Sequence, residues 1–276
     1  MTASNDRGGE FNTPVLRVDG LRTVFSRDGD EHSAVDGVSF SIAPGETLGL
    51  AGESGSGKTV TALSIMRLIA PPGRITAGRV LLEGRDLATL DDREMARVRG
   101  RQIGFVFQEP SAALNPVYTI GYQLEETLAV HGLARGRAAR DRAIGLLDAV
   151  RIPDAARRAG DYPHQLSGGL RQRAMIALAI AAGPRLLIAD EPTTALDATV
   201  QAEVLDLLRE MRSSLGLSML LVTHDLGVIA EMADRVAVMR AGRIVEQGSA
   251  LQVFDAPVHE YTRHLLACIP GRGARS

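Results

Sequence analysis

Hydrophobic positions along the chain follow two different patterns. Residues 15–18, 38–42 and 79–83 alternate apolar and polar side chains, as half-buried antiparallel strands do, and predict a small sheet of that kind. Residues 47–51 and the runs leading to Gln108, Glu191 and His224 are instead short and apolar almost throughout. Strands covered on both faces have that composition, and helical stretches between them imply a parallel sheet. Residues 59–69 predict a helix stopped by Pro71 and Pro72. Between 109 and 166, Ile120, Leu124 and Leu128, then Ile144, Leu147 and Val150, recur at helical spacing between Pro and Gly breaks. That stretch reads as an inserted helical subdomain. Residues 171–182 form a helix that begins basic and becomes almost wholly apolar, and residues 235–247 fold back as a hairpin around Ala241 and Gly242.

Composition narrows the class. At 276 residues, 45% of them hydrophobic, the chain can bury a sizeable core in one large domain or two small ones. No run approaches the ~18 apolar residues of a membrane span. The first residues lack the basic start and apolar core of a signal peptide, so the chain is expected to stay in the cytoplasm. A net charge of -2 argues against a surface built for nucleic acid. The single cysteine, Cys268, supports neither a disulfide framework nor a cysteine metal cluster within the chain. Of the 31 basic side chains only Lys58 is lysine. Arginine is a planar fork and lysine a compact point charge, so the exception marks a place that needs one small cation.

Lys58 lies in Gly52-Glu53-Ser54-Gly55-Ser56-Gly57-Lys58-Thr59, which fits the phosphate-binding P-loop between a predicted strand and a predicted helix. The glycines let backbone wrap a phosphate, with Gly52, Ser54, Gly55, Ser56 and Gly57 forming the cradle. Lys58 reaches the outer phosphates, and Thr59 offers a hydroxyl to Mg²⁺. A second element, residues 186–191, is an apolar strand ending in two carboxylates. Asp190 can hold the Mg²⁺ shell and Glu191 can orient or deprotonate an attacking water. Between them, Ser167 can cap the helix that follows, and the amides of Gly168 and Gly169 face outward, making a second anion site.

In that order and spacing the motifs resemble those of the ATP-binding subunit of an ATP-binding cassette (ABC) transporter, from about residue 15 to 248. The resemblance implies an α/β, P-loop NTPase (RecA-like) core with an N-terminal antiparallel β subdomain and an inserted helical subdomain. Residues 1–13 would be a disordered tail, 14–253 the ATPase domain with 109–168 its helical part, and 254–276 a short C-terminal extension. By the same resemblance Gln108 meets Mg²⁺ and the attacking water, and His224 contacts the γ-phosphate. Residues 194–197, ending in Asp197, form the D-loop, and Ser167, Gly168 and Gly169 cover ATP held by a second chain. Phe25 falls where the family places an aromatic on adenine, although it could equally be a core residue of an N-terminal strand. His131, His164, His259 and His264 read as ordinary surface or loop residues.

Two positions depart from the family pattern. Leu170 stands where many members carry Gln, and the residues after Phe25, 26–33, form an insertion. Residues 109–116, 162–164 and 259–262 resemble the dipeptide, oligopeptide and nickel importer branch. The implied function is to bind and hydrolyse ATP on the cytoplasmic face of a separate membrane permease, with ATP and Mg²⁺ as cofactors. A second ATPase subunit, a paralogue or a copy of itself, would complete the pair, and an extracytoplasmic solute-binding protein would act indirectly. The rival readings are a soluble ABC ATPase acting on DNA or the ribosome, which usually carries a coiled coil or two cassettes, and a small-molecule kinase. The kinase reading leaves Ser167–Gly169 and His224 unexplained.

Overall fold

The computed structural model describes residues 13–27, 30–194 and 196–267. The expected tail, apart from Thr13, and Cys268 lie outside the described residues, as does Ala195 of the D-loop. Among the described residues no helix is long and apolar enough to cross a membrane.

Two sheets make up the α/β framework. The smaller is antiparallel and joins β1 (Leu16–Arg27), β2 (Asp30–Ile42), β4 (Gly73–Leu82) and β5 (Arg85–Asp86) in the order β2-β1-β4-β5. The larger joins β3 (Thr47–Ala51), β6 (Ile103–Val106), β7 (Leu186–Asp190), β8 (Ser218–Thr223), β9 (Arg235–Arg240) and β10 (Arg243–Ser249) in the order β10-β9-β3-β8-β7-β6. All its neighbours run parallel except β10, which returns from β9 as a hairpin whose turn residues, Ala241 and Gly242, both have positive φ. Every residue of β3, β6, β7 and β8 is buried. Their side chains alternate between two cores. Leu48, Leu50, Ile188, Leu220 and Val222 face the antiparallel sheet, with α1 (Lys58–Ile65) and α2 (Asp92–Arg101) between. Leu187, Ala189, Met219 and Leu221 face α7 (Gly168–Ile180), α8 (Ala198–Leu215) and α9 (Leu226–Met232).

Between β6 and α7 lie α3 (Pro110–Ala113), α4 (Ile120–Val130), α5 (Arg137–Ala149) and α6 (Ala155–Arg158). Ile120, Leu124 and Leu128 form the buried stripe of α4, and Leu147 and Val150 meet it from α5 and its end. Helices α10 (Ala250–Asp255) and α11 (Glu260–Ala267) close the described chain.

Four elements differ clearly from their expected bounds. Helix α1 stops at Ile65, well before Pro71, because Arg67 takes φ 52°. The amides of Arg67 and Leu68 then turn back to Ser64 O and Leu63 O, a helix-ending arrangement that needs a left-handed residue. The Arg67 guanidinium holds that turn by donating to Leu90 O at 2.7 Å and Leu87 O at 3.2 Å. Strands β1 and β2 run far beyond the predicted segments. Residues 26–33, expected as an insertion, prolong both strands into a hairpin whose residues 28 and 29 lie outside the described set. Strand β4 likewise begins at Gly73, because its first half is exposed and carries no apolar alternation.

Candidate nucleotide site

Because β3, β6, β7 and β8 are parallel, the loops leaving their C-terminal ends gather at one edge of the sheet, where open α/β sheets bind ligands. Residues 52–57 leave β3 with Gly52 at φ 152° and Gly57 at φ 104°. A Cβ at these positions would stand 2.2 Å from Met239 O and 2.3 Å from Ala34 O, so only glycine lets the loop lie this close to its supports. No side chain caps α1, which leaves its first-turn amides for an anion. Lys58 is 4% exposed and its Nζ donates to Gly52 O at 2.8 Å and Glu53 O at 2.9 Å. Burial lowers its pKa from the usual lysine value, against the opposing charges of Glu191, Asp190 and Glu53.

At the end of β7, the Asp190 carboxylate accepts the Thr59 hydroxyl at 3.1 Å. Burial raises the pKa of Asp190 to about 6, assisted by the Glu191 charge and opposed by the Thr59 hydrogen bond and Lys58. Glu191 follows at φ 46°, its amide donating to Val222 O at 2.8 Å. Its carboxylate accepts Gln108 Nε2 at 3.1 Å and Thr194 Oγ1 at 2.9 Å, and meets His224 Nδ1 at 2.9 Å. Burial works to raise this carboxyl, but the hydrogen bonds of His224 and Thr194 and the charges of His224 and Lys58 win, and its pKa is lowered. A carboxylate kept ionised and aimed by three neighbours from separate loops can orient water or take its proton.

Most of these groups line one cleft of about 700 Å³, walled by Ser54, Gly55, Gly57, Lys58, Thr59, Gln108, Glu191 and His224 among others, while Asp190 is not in its lining and is tied to it through Thr59. Gly52 and Ser56 stand behind it: Gly52 O holds Lys58, and Ser56 O accepts Gly242 N at 2.9 Å. Phe25 is not among the lining residues. Its ring lies against Gly73 and Ile69, while His32, its partner across the β1–β2 pair, lines the cleft with Ser33 and Ala34. Ser167, Gly168 and Gly169 line a separate cleft of about 370 Å³ with Leu170, Arg173 and Asp197, and among the described residues the two clefts share none. Ser167 caps α7, its hydroxyl accepting Leu170 N at 3.4 Å. Asp197 caps α8, accepting Thr199 N at 3.1 Å and Val200 N at 3.0 Å.

Some residues at these sites were not among the expected site residues. Thr194, the first of the D-loop, joins the first cleft with Ala241 and Gly242, and the turn chemistry of Ala241–Gly242 was the available signal for the latter pair. Gln123, 7% exposed, anchors the loop after Gln108: its Nε2 donates to Asn115 O and Tyr118 O at 3.0 Å each. A buried glutamine inside an apolar helical stripe is the trace it leaves in sequence. Two of the histidines read as surface or loop residues do lie in loops and make specific contacts there. His259 Nδ1 accepts Tyr261 N at 3.1 Å, and the His131 ring packs on Gly100, where burial and Arg101 lower its pKa.

Comparison with known proteins agrees with this arrangement. The ABC transporter family profile matches residues 35–194. A protein of Brucella melitensis named as a peptide import ATP-binding protein is 56% identical over 266 residues, covering 94% of this chain and 79% of its own. One of the same name from Brucella abortus is 55% identical over 257 residues, covering 93% and 77%. Among solved structures, the ATP-binding cassette MJ0796, a dimer bound to ADP and Pi, superposes with a TM-score of 0.76 at 30% identity over 85% of this chain and 98% of its own. The cbiO1 protein of Clostridium perfringens, part of the ABC transporter complex cbiONQ, gives 0.74 at 27% identity over 88% and 92%. With the family profile matching over half of the chain and relatives this similar over most of it, the chain belongs to the ABC transporter family as an ATP-binding, ATP-hydrolysing subunit.

Proposed function

We propose that the chain energises a peptide importer, hydrolysing ATP on the cytoplasmic face of a membrane while a separate permease carries the solute. The observation that carries the catalytic reading is the Glu191 carboxylate, ionised and held by Gln108, Thr194 and His224 in the cleft that contains Lys58. Glu191 would orient the attacking water and take its proton, Lys58 would neutralise charge developing on the outer phosphates, and His224 and Gln108 would register the γ-phosphate. Peptide as the solute is supported by the names of the Brucella relatives. The peripheral location is supported by the importer names and by the lack, among the described residues, of a membrane-crossing helix.

The donor set fits Mg²⁺. Thr59 and Asp190 are hard oxygen donors already 3.1 Å apart, Gln108 stands across the same cleft, and the raised pKa of Asp190 marks a buried acid short of positive charge. Thr59, Asp190 and Gln108 would hold the cation, which when bound supplies charge neutralisation at the phosphates. Residues 14–253 would act as one ATPase domain with 109–168 as its helical part. The partner ATPase subunit, a paralogue or a second copy, would close over the cleft, and the solute-binding protein would meet only the permease. No nucleic acid takes part.

The test is the chain purified with its permease and reconstituted in vesicles. Peptide with its binding protein should stimulate hydrolysis, and Glu191→Gln should retain ATP binding while slowing turnover by about 10²- to 10⁴-fold. Stimulation by nickel salts in place of peptide would overturn the solute, and undiminished turnover in Glu191→Gln would overturn the role of Glu191.

A further inference from the structure

Tyr261, in α11, is 5% exposed and belongs to the apolar core on the α7 side of the large sheet, yet its hydroxyl leaves that core and reaches the phosphate loop. It accepts the Glu53 amide N–H at 3.3 Å. The other end of the same peptide group, Gly52 O, accepts the Lys58 ammonium at 2.8 Å. One amide plane therefore has Tyr261 at its N–H and Lys58 at its carbonyl. Such a plane next to glycine is free to swing unless something holds it, and Gly52 at φ 152° imposes no restraint of its own. The Arg240 guanidinium lies 4.7 Å from the centre of the Tyr261 ring, at the start of the turn whose Ala241 and Gly242 wall the cleft.

Tyr261 is itself well fixed. The Glu246 carboxylate on β10 accepts Val258 N at 2.7 Å and His259 N at 3.0 Å, and His259 Nδ1 accepts the Tyr261 amide. A continuous set of hydrogen bonds thus runs from β10 through the start of α11 to the loop that parks Lys58. A tyrosine serving only as packing would leave its hydroxyl to solvent or to a core partner; here it is spent on a backbone N–H of the loop.

We propose that Tyr261 is a positioning residue for ATP hydrolysis, its hydroxyl fixing the Gly52–Glu53 peptide and, through that carbonyl, the stance of Lys58 toward the phosphates. The inference rests on reading the Lys58 cleft as the phosphate site, and it gives the segment after residue 253 a direct part in nucleotide binding.

Tyr261→Phe keeps the ring under Arg240 and deletes only the hydroxyl. In the full chain it should lower ATP affinity about threefold to tenfold, the value of one hydrogen bond, with the ligand-free Tm within about 2 °C of the parent. If the tyrosine acts through Lys58, Tyr261→Phe added to Lys58→Ala should weaken ATP binding no further than Lys58→Ala alone. ATP affinity within twofold of the parent, or losses that simply add in the double variant, would overturn the proposal. Amide hydrogen exchange of Glu53 in the parent chain tests the bond without any substitution: protection is expected, and exchange as fast as in an open loop overturns it. Failure of the parent chain to bind ATP would instead overturn the reading of the cleft, with the Glu53 exchange rate still deciding the hydrogen bond.

Discussion

Asp190 is 3% exposed and, among the described residues, has the Thr59 hydroxyl as its one hydrogen-bond donor, an incomplete set of partners for a carboxylate that deep. Its folded-state pKa of about 6 lies above the ordinary aspartate value of 3.8, so the fold favours the protonated acid. Between those two values the native chain binds more protons than the unfolded one. This group's contribution is therefore favourable at low pH and lost as pH rises through about 6, where keeping the site ionised costs on the order of 3 kcal/mol. Asp190→Asn removes that cost and keeps the Thr59 partner, while Lys58 retains the charges of Glu191 and Glu53. Without nucleotide, the variant should melt about 5 °C above the parent at pH 8 and approach it near pH 4. Melting curves at both pH values decide it, and a variant less stable at pH 8 would mean that Asp190 already has compensation the geometry does not reveal. That Lys58, Asp190 and Glu191 belong together was legible from the motifs, because phosphate chemistry restricts residue type and spacing, and the structure brings them to one edge of the sheet. The position of Phe25 was not: β1 and β2 pair with register shifts at Val18/Leu21, Leu21/Arg22 and Thr23/Val24. Each shift turns the strand face over, so alternation counted from Leu16 cannot tell which of Phe25 and His32 meets the cleft.

Among elements, the phosphate loop and α1 depend on what stands behind them. The P-loop pattern requires glycine at 52 and 57 and leaves 55 open, and the structure supplies the reason. Gly55 has φ 80° and open space around its Cα, whereas Gly57 has φ 104° and a Cβ would stand 2.3 Å from Ala34 O. Gly55→Ala should cost about 1 kcal/mol, the strain of a left-handed alanine. Gly57→Ala must also displace the β2 backbone and should cost about 3 kcal/mol or more, with ATP binding lost. Chemical denaturation and nucleotide titration of both variants test the ordering, and equal costs would show that the β2 support yields. Ala34 lies beyond the hairpin that prolongs β1 and β2, a feature the exposed polar residues of that hairpin concealed in the sequence. Periodicity recovered α4 well, since Ile120, Leu124 and Leu128 are all fully buried. It overran α1, since nothing in residues 66–69 announces a left-handed Arg67.

For the molecule as a whole, the decisive relation is between two clefts that share no residue among those described. Motif order along the chain was legible, but the separation of Ser167–Gly169 from Lys58 depends on how α7 and α8 pack against the sheet, which no local pattern encodes. A phosphate held by Lys58 on one side still presents oxygens on the other, and the N-terminus of α7, 13 residues long, offers amides to such oxygens. It lines a different cleft in its own chain, so on the proposed reading it would serve the nucleotide of a second chain. The isolated chain should therefore bind ATP and hydrolyse it weakly. Ser167→Arg places a long cation where the second chain must approach and removes a cap worth about 1 kcal/mol, too little to unfold a domain of this size. Its ATP affinity as a single chain should stay within about twofold of the parent. ATPase activity of the full transporter should fall by about 10²-fold or more, the scale of losing a donor at a developing charge. Titration of the single chain beside turnover of the complex separates the two effects. A parallel loss of ATP affinity in the isolated chain would mean that the Ser167 loop serves its own nucleotide, and the two-chain arrangement would fall.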